Sequence, residues 1–75
     1  KMITRTMDNI SKQFGKRARA IRLKQGLSQG DVAKRLNVHR SYISGIERGI
    51  RNPSLKVIQK IAKALEVPME KLIKD

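Results

Sequence analysis

The sequence predicts an all-α domain, a compact bundle of five short helices. Three observations predict it. Apolar residues recur at spacings of three and four along most of the chain, the repeat of one helix face. No stretch alternates apolar and polar residues with period two, so no strand is expected. Gly26, Asn37, Gly49, Pro53 and Pro68 cut the pattern into short pieces. With 75 residues the chain holds one domain with a thin core, and a dimer would add the burial that one copy lacks.

Each element has its own signature. Residues 1–9 carry no periodic face and are expected as a flexible N-terminal arm, with the domain proper over residues 10–75. Ile10, Phe14, Ala18 and Ile21 mark helix 1 over about residues 10–25, with Asp8 or Asn9 able to cap its start and Gly26 suited to a left-handed close. Ser28 and Asp31 form a capping-box pattern that opens helix 2, which runs to Leu36 with Val32, Ala33 and Leu36 inward. Asn37 and Val38 make a tight turn. Helix 3 covers about residues 40–48, with Ile43 and Ile46 inward and a stop at Gly49. Either Asn52, with Pro53 in the first turn, or Ser54 caps helix 4. Its stripe is Leu55, Ile58, Ile61, Ala62 and Leu65. Met69, Leu72 and Ile73 predict a short fifth helix after Val67-Pro68.

Charge gives the first functional clue. Eighteen Lys and Arg stand against six Asp and Glu, a net charge of +12, so the chain attracts polyanions. Nucleic acid is the obvious one. One Phe, one Tyr and no Trp argue against stacking platforms for single strands and against an aromatic-anchored membrane helix. No cysteine is present, which excludes a disulfide framework and a thiolate metal site. No apolar run approaches the ~20 residues that span a bilayer, and no secretory h-region is visible, so a cytoplasmic, nucleoid-associated location is expected. The single histidine cannot build a histidine metal site, and no metal, cofactor or small-molecule ligand is implied. His39 beside Ser41 lacks an orienting acid and a pocket, so no catalysis is expected.

Helices 2 and 3, joined by a three- or four-residue turn, form a helix-turn-helix. In such a motif the second helix is short and narrow enough to enter the major groove of duplex DNA. Its outer face would offer Arg40, Ser41, Tyr42, Ser44, Gly45 and Arg48. Arg bonds the two acceptors of guanine bidentately, and Ser bonds either base type. Tyr can meet a thymine methyl or a phosphate, and Gly45 would let backbone approach closely. Lys12, Lys16, Arg17, Arg19, Arg22 and Lys24 spread around helix 1 and supply a long-range field, while Lys56, Lys60, Lys63, Lys71 and Lys74 lie away from the motif and are expected to be solvated.

The strings Leu27-Ser28-Gln29-Gly30-Asp31-Val32-Ala33, Tyr42-Ile43-Ser44-Gly45-Ile46-Glu47-Arg48-Gly49 and Asn52-Pro53-Ser54-Leu55 resemble the XRE-like, phage-repressor-like helix-turn-helix family over residues 10–74. Residues 39–49 followed by Arg51-Asn52 look most like the controller proteins of restriction–modification systems. The resemblance implies a lambda-repressor-like fold. It implies that Gln29 bonds a phosphate and braces the recognition helix, that Arg40 and Ser41 read bases, and that Tyr42 and Ser44 lie near the groove edge. It implies phosphate contacts at Arg48, Arg51 and Asn52, and an ion pair between Arg22 and Glu47 that ties helix 1 to helix 3. An acid facing phosphates would be repelled, which also turns Glu47 inward.

The expected function is sequence-specific binding of double-stranded DNA in transcription regulation. One recognition helix reads few base pairs, so a homodimer on a near-palindromic site is expected, its half-sites about 34 Å apart. The apolar surplus of helices 4 and 5, namely Val57, Ile61, Ala64, Leu65, Met69 and Ile73, is the expected isologous dimer interface. The controller resemblance implies activation and repression from tandem sites, hence two dimers and RNA polymerase as a further partner. Competing readings are a stand-alone phage or plasmid repressor and a DNA-binding antitoxin, which would carry a partner-binding tail. A membrane-active cationic peptide would need one long amphipathic surface, and Gly26, Asn37, Gly49 and Pro53 interrupt it.

Overall fold

A computed structural model describes residues 2–73, with backbone alone over residues 2–9; Lys1, Lys74 and Asp75 lie outside the described residues. Five helices follow one another: α1 (Met2–Lys24), α2 (Gln29–Leu36), α3 (Arg40–Glu47), α4 (Leu55–Leu65) and α5 (Glu70–Ile73). The first difference from expectation is at the N-terminus. The helix begins at Met2, so the segment read as an arm continues α1, and Asp8 and Asn9 lie inside it. Residues 2–9 contain neither Gly nor Pro, and extending an existing helix fixes one residue per added hydrogen bond. Ser54 is the cap of α4, its hydroxyl accepting Val57 N–H at 3.2 Å. Asn52 instead accepts a hydrogen bond from Ser11 of α1.

The core gathers Phe14 and Ala18 of α1, Val32 and Ala33 of α2, Ile43 and Ile46 of α3, Ile61, Ala62 and Leu65 of α4, and Leu72 of α5. Every helix therefore buries one face against the same centre. Two expectations change. Ile10, read as inward, is largely exposed and lines an open groove with Phe14, Leu72 and Ile73. Ile61 and Leu65, read as dimer surface, are 2 % and 1 % exposed and belong to the core. Val57 and Met69 are half-buried against it, Ala64 is half-buried, and of the six residues only Ile73 is broadly exposed.

Gly15 sets how closely α1 and α3 cross. A β-carbon there would overlap the carbonyl oxygens of Ile46 and Glu47, standing 2.6 Å from the latter. One turn earlier, Lys12 lies against Gly49, which closes α3 at φ +77°. A β-carbon at Gly49 would be 2.6 Å from Lys12 Cγ. These two contacts hold the C-terminal end of α3 on α1, while Arg40 and Ser41 at its N-terminal end are exposed.

Candidate nucleic-acid interface

The turn between α2 and α3 is built by local chemistry. Ser28 and Asp31 form a reciprocal capping box, with Asp31 N–H bonded to Ser28 Oγ at 2.9 Å and Ser28 N–H to Asp31 Oδ2 at 2.8 Å. The bond from Ser28 N–H, then that with the Ser28 side chain, holds the Asp31 carboxyl below the usual carboxylate range. Asn37 closes α2 in the left-handed conformation, at φ 60° and ψ 46°. His39 caps α3, its Nδ1 accepting Ser41 N–H at 3.2 Å.

Beneath α3 lies a buried polar knot. Arg22 Nε donates to Glu47 Oε2 at 2.6 Å, and Nη2 donates to Oε1 at 3.0 Å. The third arm of the guanidinium, Nη1, donates to the carbonyl of Leu27 at 2.8 Å. Gln29 Nε2 completes the set with a 3.1 Å bond to Glu47 Oε1. Hydrogen bonding to Glu47 raises the Arg22 pKa, although burial opposes the shift. The knot joins α1, the α1–α2 loop, α2 and α3 at one point. The structure thus brings Arg22, Gln29 and Glu47 together, and Gln29 braces the third helix through Glu47.

Above the knot, Arg40, Ser41, Ser44 and Arg48 form one outward stripe of α3, with Ser44 half-buried and the others exposed. The stem of Arg40 runs beside the start of α2, where a β-carbon on Gly30 would lie 4.0 Å from its Cδ. Arg48 Nε reaches back to the Ser44 carbonyl at 3.4 Å. Tyr42 is half-buried at the flank, and the Arg51 guanidinium lies 5.1 Å above its ring centre. Gly45 is not on the outer face, contrary to expectation. It is buried beneath Arg51, whose Cγ, Cδ and Nε would stand 3.3 Å from a β-carbon there. Its missing side chain makes room for Arg51. Asn52 lies beyond Arg51, tied to α1 by Ser11.

Several positioning residues escaped sequence reading. Gly15 and Ser11 fix α1 against α3 and the Asn52 loop. Gln25 Nε2 bonds the Leu65 carbonyl at 2.6 Å, and Arg35 Nη1 bonds the Ala64 carbonyl at 2.6 Å. The first of these had a signal, since a glycine inside a helical pattern marks a close approach. The rest are polar residues on helix surfaces, which carry no distinguishing pattern.

The helix-turn-helix family matches residues 19–72, a span that includes every element of the interface. The chain belongs to the helix-turn-helix family. Among its relatives is the control protein C.BamHI of Bacillus amyloliquefaciens, 49% identical over 67 residues, which make up 88% of this chain and 83% of that protein. The crystal structure of the restriction–modification controller protein C.AhdI from Aeromonas hydrophila superposes with a TM-score of 0.78 at 44% identity, covering 81% of this chain and 92% of that one. The controller protein C.Esp1396I, solved as a tetramer in complex with its natural 35-base-pair operator, superposes with a TM-score of 0.75 at 41% identity, covering 79% of each chain.

Proposed function

We propose that this protein binds double-stranded DNA sequence-specifically and regulates transcription as a restriction–modification controller. The observation that carries the reading is the outward stripe of Arg40, Ser41 and Ser44 on α3 with Arg48 at its C-cap, in a chain of net charge +12. Arg40 and Ser41 read base edges, with Tyr42 and Ser44 at the groove edge. Gln29, Arg48, Arg51 and Asn52 set the register on phosphates. One amide hydrogen of Gln29 serves Glu47, and the other remains for a phosphate oxygen. Arg51 delivers its charge from a fixed place over Tyr42. Kinship with C.BamHI, C.AhdI and operator-bound C.Esp1396I supports this reading.

The working unit is a homodimer, and two dimers occupy adjacent sites, as the tetrameric C.Esp1396I complex supports. With Ile61 and Leu65 committed to the core, the dimer surface centres on Leu55, 75 % exposed, and Ile73, 52 % exposed, beside Ile10 and Ile58. Ile10, Ile58 and Ile73 line one groove between α1, α4 and α5, and Leu55 stands one turn before Ile58 on α4. RNA polymerase is the further partner when the bound dimer activates. Selection from random duplex DNA, with stoichiometry read by gel shift, tests the function. A near-palindromic site bound first by two copies and then by four is the expected result. Retention of duplexes without any sequence enrichment would overturn it.

A further inference from the structure

The turn before α3 ends on His39, and its imidazole engages Ser41 twice. Nδ1 accepts the Ser41 backbone N–H at 3.2 Å and lies 2.9 Å from Ser41 Oγ. A backbone amide only donates, so Nδ1 is the nitrogen without a proton and Nε2 carries it. Nδ1 has no hydrogen to give, so the short contact with Oγ is a hydrogen bond with the hydroxyl donating, the one Nδ1 lone pair being shared between the backbone N–H and the O–H. The one hydrogen of Ser41 is thereby turned back onto the cap, and only oxygen lone pairs face outward. No acidic residue in the first turn of α3 competes for that hydrogen.

We propose that His39 fixes the hydrogen-bonding polarity of Ser41 and makes it an acceptor-only reader of DNA. A free serine hydroxyl rotates, donates or accepts, and so discriminates poorly between bases. Held by His39, it favours an exocyclic amino group, adenine N6 or cytosine N4, over the carbonyl of guanine or thymine. His39 is a positioning residue, acting through Ser41. The inference rests on Ser41 facing the major groove, as argued above.

Two experiments test it. The chain holds one histidine, so nitrogen-15 NMR of the imidazole reads His39 alone. The neutral imidazole is expected as the Nε2–H tautomer, and a predominant Nδ1–H tautomer would overturn the proposal. The second is selection from random duplexes with the wild type, Ser41→Ala, His39→Gly and the double variant. Glycine is a tolerated cap residue, so His39→Gly retains α3. The base pair whose preference changes in Ser41→Ala is the one Ser41 reads. There the wild type distinguishes the pair from its reverse by about fivefold, the worth of one net hydrogen bond. His39→Gly makes that pair nearly indifferent without touching the pair read by Arg40, and the double variant changes nothing more. Retention of the preference in His39→Gly, or no altered pair in Ser41→Ala, overturns the proposal and leaves duplex recognition standing. A wild type that enriches no site removes both.

Discussion

Glu47 is an acid on the helix that presents Arg40 and Arg48, and its burial turns a repulsive charge into a brace. Its two carboxylate oxygens accept three hydrogen bonds, two from Arg22 and one from Gln29. Removing one partner of a buried pair strands the other charge away from water, which costs about 3 kcal/mol or more. Glu47→Ala therefore lowers the unfolding free energy in urea by about that amount, and Arg22→Met in the same chain recovers part of it. A loss below about 0.5 kcal/mol would place the pair among ordinary surface contacts. Gly15→Ala is expected to cost about 2–3 kcal/mol, since the overlap is with backbone carbonyls that cannot rotate aside. The partners Arg22 and Glu47 were legible in the sequence through family resemblance. The stacking of Arg51 on Tyr42 over Gly45 was not, because it depends on where the α3–α4 loop folds back.

The ends of the helices share one device. After α1, α2, α3 and α4 the chain turns through a left-handed residue: Gly26, Asn37, Gly49 and Glu66 in turn. In each case the next residue's N–H bonds a carbonyl five positions back, as Leu27 N–H does to Arg22 and Val67 N–H to Ala62. The glycines and Asn37 announce this role in the sequence. Glu66 does not, since a β-carbon at φ 58° is disfavoured, and the hydrogen bonds of the turn and the burial of Leu65 and Val67 hold it there. Glu66→Gly is therefore expected to raise stability by about 0.5–1 kcal/mol in a thermal or urea melt. The capping box of α2 has a pH signature. The folded pKa of Asp31 lies below its unfolded value, so its contribution is present above that value and is lost as pH falls through the folded pKa. Asp31→Asn should be less stable than the wild type at neutral pH, and the gap should close as pH falls through the folded pKa of Asp31. A gap that persists unchanged in acid would remove the carboxylate from the account. The element boundaries were legible to within a residue or two from α2 to α4. The N-terminus of α1 was not, since Asp8 and Asn9 are cap-forming residue types but no Gly or Pro precedes them to stop the helix, which continues back to Met2.

At the scale of the whole molecule, the fold delivers a short helix outward and leaves an apolar groove on the α1, α4 and α5 side. The sequence pattern predicted a seam on α4 and α5 but could not say which apolar residues the core would consume. Ile61 and Leu65 were consumed, because the α4 stripe that faces the centre is also the most regular one. Leu55→Glu with Ile73→Glu is expected to shift sedimentation from dimer to monomer at micromolar concentration, and an unchanged dimer would move the seam elsewhere. Arg51→Ala should weaken all duplexes alike and reduce the salt slope by about one. The most direct measurement of the central claim is the equilibrium affinity of wild type and Arg40→Ala for the selected duplex and for a scrambled one at the same salt. Loss of about tenfold or more on the selected duplex, with little change on the scrambled one, is the expected result. Equal losses on both would contradict base reading by Arg40 and reduce α3 to a carrier of charge.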